Sequence, residues 1–220
     1  MISTRSIYRI GWLGRFPLKT PYPAVAERIG FIMRDLPRGA SLVVDFGGVG
    51  RGIYDMLVDA GLSPLGVTMT GGFDTHWSGR IATVPKSTLV SKLVACVHAG
   101  DLFVHGDLTD WPALKRELQN FRPEITRAGQ ETWNARSGAH DDLVIATALC
   151  AWYLQGGQEP YHGLMTYLAR RVGNETGEQW CVGVDLGQSV DPTAICVMSR
   201  VEAPAATGAA SEVVSEQATP

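Results

Sequence analysis

No GxxxxGK[ST] run occurs in the chain, which excludes a P-loop motor from it. The one glycine-rich turn, Asp45-Phe-Gly-Gly-Val-Gly50, fits neither that pattern nor the dinucleotide fingerprint. Basic charge is not in excess: 19 Lys and Arg stand against 22 Asp and Glu, for a net charge of -3. That argues against a module coated in Lys and Arg for nucleic-acid binding. It leaves a nuclease open, because metal ions neutralise carboxylates and a local basic rim can still hold phosphates. Cysteines number four, and Cys96, Cys150, Cys181 and Cys196 lie far apart inside apolar segments, so buried free thiols are expected and no zinc knuckle or redox pair. The longest apolar stretches, around Leu143 to Leu154 and Ala194 to Met198, are too short to span a bilayer. The N-terminus also lacks the basic-then-apolar layout of a secretion signal, so the expectation is no membrane and a cytoplasmic location.

What is present suits one sizeable core. A chain of 220 residues with ordinary apolar content is expected to form a single α/β domain with a flexible end. Ile7 to Leu13 alternates as a strand, Tyr22 to Leu36 carries apolar residues at helical spacing, and Ser41 to Phe46 is a β-branched run typical of a buried strand. A glycine turn and an amphipathic helix, Ile53 to Ala60, follow it. Pro64 to Thr70 reads as a strand, Gly71-Gly72 as a turn, Pro85 to His98 as a helix, Leu102 to His105 as a brief strand, and Trp111 to Phe121 as a helix. Irregular strands are expected from Ile125 to Ala135 around Gly129. Asp141 to Tyr153 reads as a strongly apolar helix stopped by Gly156-Gly157, and Tyr161 to Arg171 as a further helix. Trp180 to Leu186 and Thr193 to Ser199 read as strands, before a tail rich in Ala, Ser, Thr and Glu, with little to bury.

Three carboxylate sites stand at the edges of apolar elements: Asp45, Asp185, and the pair Asp141 and Asp142. An Asp ending an apolar strand is common in α/β folds, where ligands gather at strand ends. Acids opening a helix also serve as ordinary caps, favoured by the helix dipole. Three such sites from different elements are nevertheless able to bind paired Mg²⁺ ions through oxygen ligands. His140 adjoins the acids as a proton-transfer group, a DNA contact or a plain surface residue. Lys86, Arg51, Arg80 and Arg136 are candidate phosphate contacts, although each taken singly reads as a solvated charge. Gly183-Val-Asp-Leu-Gly187 also resembles the phosphate hairpin of the actin and heat-shock ATPase superfamily, a fold of two large lobes that ranks below the metal reading for a chain of this length.

Together these stretches resemble the nuclease domain of the large subunit of tailed-phage terminases, which has a ribonuclease H-like fold. The matching stretches are Leu13-Gly-Arg-Phe-Pro-Leu-Lys-Thr-Pro-Tyr-Pro23, Val44-Asp-Phe-Gly-Gly-Val-Gly50, Thr70-Gly-Gly72, Val84-Pro-Lys86, and Glu117-Leu118 with Phe121. To these are added Gly138-Ala-His-Asp-Asp-Leu-Val144 and Val182-Gly-Val-Asp-Leu-Gly-Gln-Ser-Val-Asp-Pro-Thr-Ala194, the two more specific ones. They cover most of residues 5 to 200. The resemblance implies a mixed sheet flanked by helices, with Asp185 on the family's opening strand and Asp45 on its fourth. Asp142, Asp141 or both would then open the last helix, with Asp142 preferred as a ligand because the apolar helix resumes after it.

The activity so implied is metal-dependent cleavage of double-stranded DNA in genome packaging, with two Mg²⁺ or Mn²⁺ ions. The implied partners are a packaging ATPase, the small terminase subunit or the portal protein, in the host-cell cytoplasm. Residue order departs from the family, since the Val-Asp-Leu-Gly strand comes last here, as in a circular permutation. The expected layout is a nuclease-like core over residues 1–155, a connecting segment over 156–179, a strand pair completing the core over 180–202, and a disordered tail over 203–220. A junction-resolving nuclease of the same fold and a non-catalytic packaging or interaction module remain as alternatives.

Overall fold

A computed structural model of the chain describes residues 4–48, 50–125, 131–135, 140–157, 177–187 and 191–204. Arg136, Gly129, the expected helix from Tyr161 to Arg171 and the end of the tail lie outside the described residues. In chain order the elements are β1 (Thr4–Arg15), α1 (Tyr22–Asp35), β2 (Ser41–Asp45), α2 (Gly50–Asp59), β3 (Leu65–Thr70), β4 (His76–Ser78) and β5 (Ile81–Pro85). They continue with α3 (Lys86–His98), β6 (Leu102–Val104), α4 (Trp111–Asn120), β7 (Phe121–Ile125), β8 (Glu131–Ala135), α5 (Asp142–Leu154), β9 (Gln179–Asp185) and β10 (Ala194–Pro204). Two strands, β4 and β5, arise between the Gly71-Gly72 turn and α3, where no element was expected, and the described residues of the irregular stretch before Ala135 belong to β7 and β8, which pair antiparallel.

Among the described residues the main sheet has eight strands in the order β4-β5-β3-β2-β9-β10-β1-β6, so β9 and β10, late in the chain, lie in its middle. β9, β10 and β1 form an antiparallel run, while β2 adds to the other side of β9 in parallel, followed by β3 and β5. The fold is thus α/β with a mixed sheet, and parallel strands joined through helices place those helices on the sheet's faces.

Side-chain alternation assigns the two faces. Leu42, Val44, Val182, Val184, Ile195 and Val197 pack with Val25 and Ile29 of α1 and with Ile53 and Leu57 of α2. Val43, Cys181, Cys196 and Met198, one residue out of phase, pack on the opposite face with α3, α4 and α5. α5 is buried along its whole length, as expected of a helix that is apolar all round. All four cysteines are buried free thiols, and the Cys150 thiol donates to the carbonyls of Cys181 and Cys196, both at 3.5 Å. Among the described residues no helix is long and apolar enough to cross a membrane.

Two backbone features set how these layers meet. A β-bulge in β1 leaves Gly11 unpaired between the Ile10–Met198 and Trp12–Val197 pairs. Ile10 before the bulge and Leu13 after it consequently face α5, and Trp12 packs on the α1 side. Gly183 of β9 lies directly beneath α5, where an added Cβ would come within 2.1 Å of the Ala146 carbonyl oxygen and 2.9 Å of Cys150 Sγ. Only glycine admits the helix this close. Gly183→Ala is expected to destabilise the protein by about 1–3 kcal/mol, the usual cost of overpacking, read as a lower urea midpoint. An unchanged midpoint would mean that α5 rides higher on the sheet.

Candidate metal centre

Parallel pairing of β2 with β9 sets Val44 opposite Val184, so one further step along both strands brings Asp45 beside Asp185. Neighbouring strands lie about 4.8 Å apart. Pleat parity turns both carboxylates to the α5 face, two residues beyond Val43 and Gly183, and both sit at the carboxyl ends of their strands. α5 runs antiparallel to these strands. Its C-terminal end meets their beginnings, where the Ser41 hydroxyl donates to Tyr153 Oη at 2.7 Å and Arg200 Nη1 donates to the Leu154 carbonyl at 2.9 Å. Its N-terminus, carrying Asp141 and Asp142, therefore points toward Asp45 and Asp185.

The electrostatics report the same convergence. Burial, then the negative charges of Asp45, Asp142 and Asp141, push the Asp185 carboxyl well above the usual carboxylate range, with Lys86 opposing them. Asp45 is also raised by burial, against the Gly47 N–H that donates to its Oδ1 at 2.8 Å and the pull of Lys86. Asp142 is raised to about 6 by burial, while Arg15 and His140 draw it down and Asp191 and Asp141 push it up. Four carboxylates and one lysine thus share a single local field.

Each acid has a distinct surrounding. Asp141 precedes α5 and accepts a hydrogen bond from Lys86 Nζ at 2.9 Å. Lys86 is the first residue of α3, with its ammonium 5.5 Å from the centre of the Phe121 ring. Asp142 is only 4 % exposed, and its Oδ2 accepts no hydrogen bond among the described residues. Arg15 Nη2 lies 3.5 Å from that oxygen and His140 Nδ1 3.7 Å. His140 Nδ1 is also 3.5 Å from Asp191 Oδ1, and ligand atoms of His140, Asp142 and Asp191 lie within 4.8 Å of one another. That buried oxygen therefore has cationic neighbours, Arg15 and His140, but no hydrogen-bond donor in place among the described residues. His140, Asp142 and Asp191 could together hold a metal ion through one imidazole nitrogen and two carboxylate oxygens, a donor set that does not select one ion.

Of the basic residues singled out from sequence, Lys86 is in the cluster and His140 at its edge. Arg51 is exposed just past β2, with its guanidinium 5.5 Å from the Phe46 ring. Arg80 is at the other end of the sheet, donating to the Ser63 and Pro64 carbonyls, and takes no part. A cavity of about 150 Å³, lined by Phe16, Lys19, Tyr22, Gly187, Asp191 and Thr193 among others, adjoins the cluster on the side of Asp191.

Three polar residues at the site were not singled out from sequence. Arg15, Glu117 and Asp191 all fall within the stretches that carry the terminase resemblance, yet each reads locally as a solvated charge. Glu117 had one usable signal: it stands three residues after Leu114 and four before Phe121, on the buried face of α4.

No family model, curated protein or solved structure matches this chain.

Raised carboxyl pKa values have a stability consequence. A folded state that holds protons more tightly than the unfolded chain is stabilised as pH falls, and that gain is lost as pH rises toward the folded value, about 6 for Asp142. In EDTA the protein is expected to melt several degrees higher at pH 5 than at pH 8. Asp142→Asn should raise the pH 8 melting temperature and flatten this dependence, and a thermal scan across pH that showed the opposite slope would refute the clustering.

Proposed function

We propose that the chain is a metal-dependent endonuclease domain acting on double-stranded DNA, of the kind found in terminase large subunits. The observation that carries this reading is that Asp45 and Asp185 end adjacent parallel strands on the face that α5 covers, and that Asp185 shares its local field with Asp45 and with Asp142 and Asp141 at the N-terminus of α5. The topology supports the permuted order as well. Read from β9, the opening strand carries Asp185, β10 and β1 follow as the antiparallel second and third, and β2 is a fourth strand that returns beside the first with Asp45. α5 then supplies the last helix with its acids. This strand order is compatible with what the terminase resemblance implies for a ribonuclease H-like fold.

Asp45, Asp185 and Asp142 would hold the cations, with Asp141 as a further oxygen donor tethered by Lys86. Two Mg²⁺ or Mn²⁺ ions bound there would supply a water nucleophile near neutral pH and stabilise charge on the leaving oxygen. The protein's own part is to hold four carboxylates close enough for that purpose. The adjacent strands fix Asp45 and Asp185, and the buried body of α5 fixes Asp142. Lys86 would offset part of the negative charge, and His140 at the edge of the cluster and Arg51, exposed just past β2, would meet phosphate oxygens. Packaging would draw on an ATPase motor, a small terminase subunit or a portal protein, on this chain or others.

Supercoiled plasmid is expected to be nicked and linearised in Mn²⁺ or Mg²⁺ and left intact in EDTA. Asp185→Ala, Asp45→Ala and Asp142→Ala should each lower the rate at least about a hundredfold. Full cutting by Asp185→Ala or Asp45→Ala would reject the assignment. Faster cleavage of four-way junctions than of linear duplex would instead favour a junction-resolving enzyme.

A further inference from the structure

Behind Asp142 lies a polar group that a metal centre does not itself require. Arg15, the last residue of β1, reaches the N-terminus of α5, where its guanidinium contacts Glu117 and lies 3.5 Å from Asp142 Oδ2. Glu117, from α4, is buried, and its Oε2 accepts the Val144 N–H at 3.0 Å. That amide is in the first turn of α5, where no residue of the helix itself can satisfy it. The backbone N–H of Arg15 in turn donates to Asp110 Oδ2 at 3.1 Å, just ahead of α4. The ends of β1, α4 and α5 are clasped together at one of the candidate ligands.

The charges within the clasp are balanced in a particular way. Left alone, Arg15 would compete with any cation for Asp142, since one positive charge near a ligand repels another. Glu117 Oε1 and Asp142 Oδ2 both lie against the same nitrogen, Arg15 Nη2, with Glu117 the nearer, so Glu117 takes up most of the guanidinium's charge while Arg15 still borders Oδ2. The Gly11 bulge is what makes the arrangement possible. It shifts the pleat of β1 so that Leu13, and with it Arg15 two residues on, faces the α5 side of the sheet.

We infer that Arg15 and Glu117 are a positioning pair for Asp142, in which Arg15 orients the carboxylate and Glu117 neutralises Arg15 so that the site still accepts a divalent cation. This rests on the metal-dependent nuclease reading. The pair acts through Asp142, as partners behind ligating carboxylates do, where substitution commonly costs ten- to a hundredfold in metal affinity or activity.

The test compares wild type, Glu117→Gln and the double variant Arg15→Met with Glu117→Gln by Mn²⁺ titration calorimetry, plasmid cleavage and thermal melting. Gln keeps an acceptor for the Val144 amide, and the double variant removes the Arg15 and Glu117 charges together while His140 stays beside Asp142, so both should fold. Glu117→Gln is expected to bind Mn²⁺ about tenfold more weakly, because the charge of Arg15 is released onto Asp142. The double variant should recover affinity to within about threefold of wild type yet keep a kcat depressed about tenfold or more, with KM for DNA unchanged. A salt bridge that served stability alone would move the melting temperature and leave this pattern absent. Wild-type affinity and kcat in both variants, or no recovery of affinity in the double variant, would overturn the positioning pair while leaving the nuclease reading standing. A wild-type protein that takes up no Mn²⁺ and cuts no DNA would overturn both.

Discussion

The parallel, in-register pairing of β2 against β9 is the constraint from which the candidate site follows. Hydrogen bonding between the strands places Asp45 and Asp185 side by side, and pleat parity turns both to the same face. Two carboxylates held that close in a partly buried place repel each other and hold their protons more tightly than free acids do. A protein that keeps such an arrangement forgoes stability at neutral pH unless positive charge arrives. Lys86 supplies a fraction of it at Asp141, and Arg15 lies 3.5 Å from Asp142 Oδ2.

α5 is the second determinant, and its burial explains its precision. Because the helix is apolar all round, it sits between the sheet and α3, and glycine at position 183 lets it approach the centre of the sheet. Its first turn therefore cannot drift relative to the strand ends. The polar price of that burial falls on the N-terminus, where the Val144 amide would be orphaned without Glu117 of α4. The same Glu117 then engages Arg15, so the device that satisfies a buried helix end also sets the charge around Asp142. Packing and electrostatics are hard to separate here because the same side chains carry both.

Much of the local structure was legible from the residues alone. The β-branched run Leu42-Val-Val44, the proline-started helix at Tyr22 and the apolar helix from Asp142 each follow from periodicity and from their starting and stopping residues. Acids at the ends of apolar elements could be singled out for the same reason. β4 and β5 escaped notice because they are short, and β5 runs straight into α3 at Pro85 without the punctuation that usually separates a strand from a helix. Arg80, which looked as suitable for phosphate as Lys86, belongs to the opposite end of the sheet, and no local pattern tells the two ends apart.

The residues by themselves determined which segments are strands and helices and which acids end them, since those properties depend on neighbours within a turn or a pleat. Only the tertiary structure decided that β9 and β10 enter the middle of the sheet, that Asp185 therefore stands beside Asp45, and that Gly11 is a bulge which swings Arg15 toward Asp142. Strand order and register are settled by which apolar faces can be buried together across the whole sheet. That competition is non-local, so distant segments resolve it jointly.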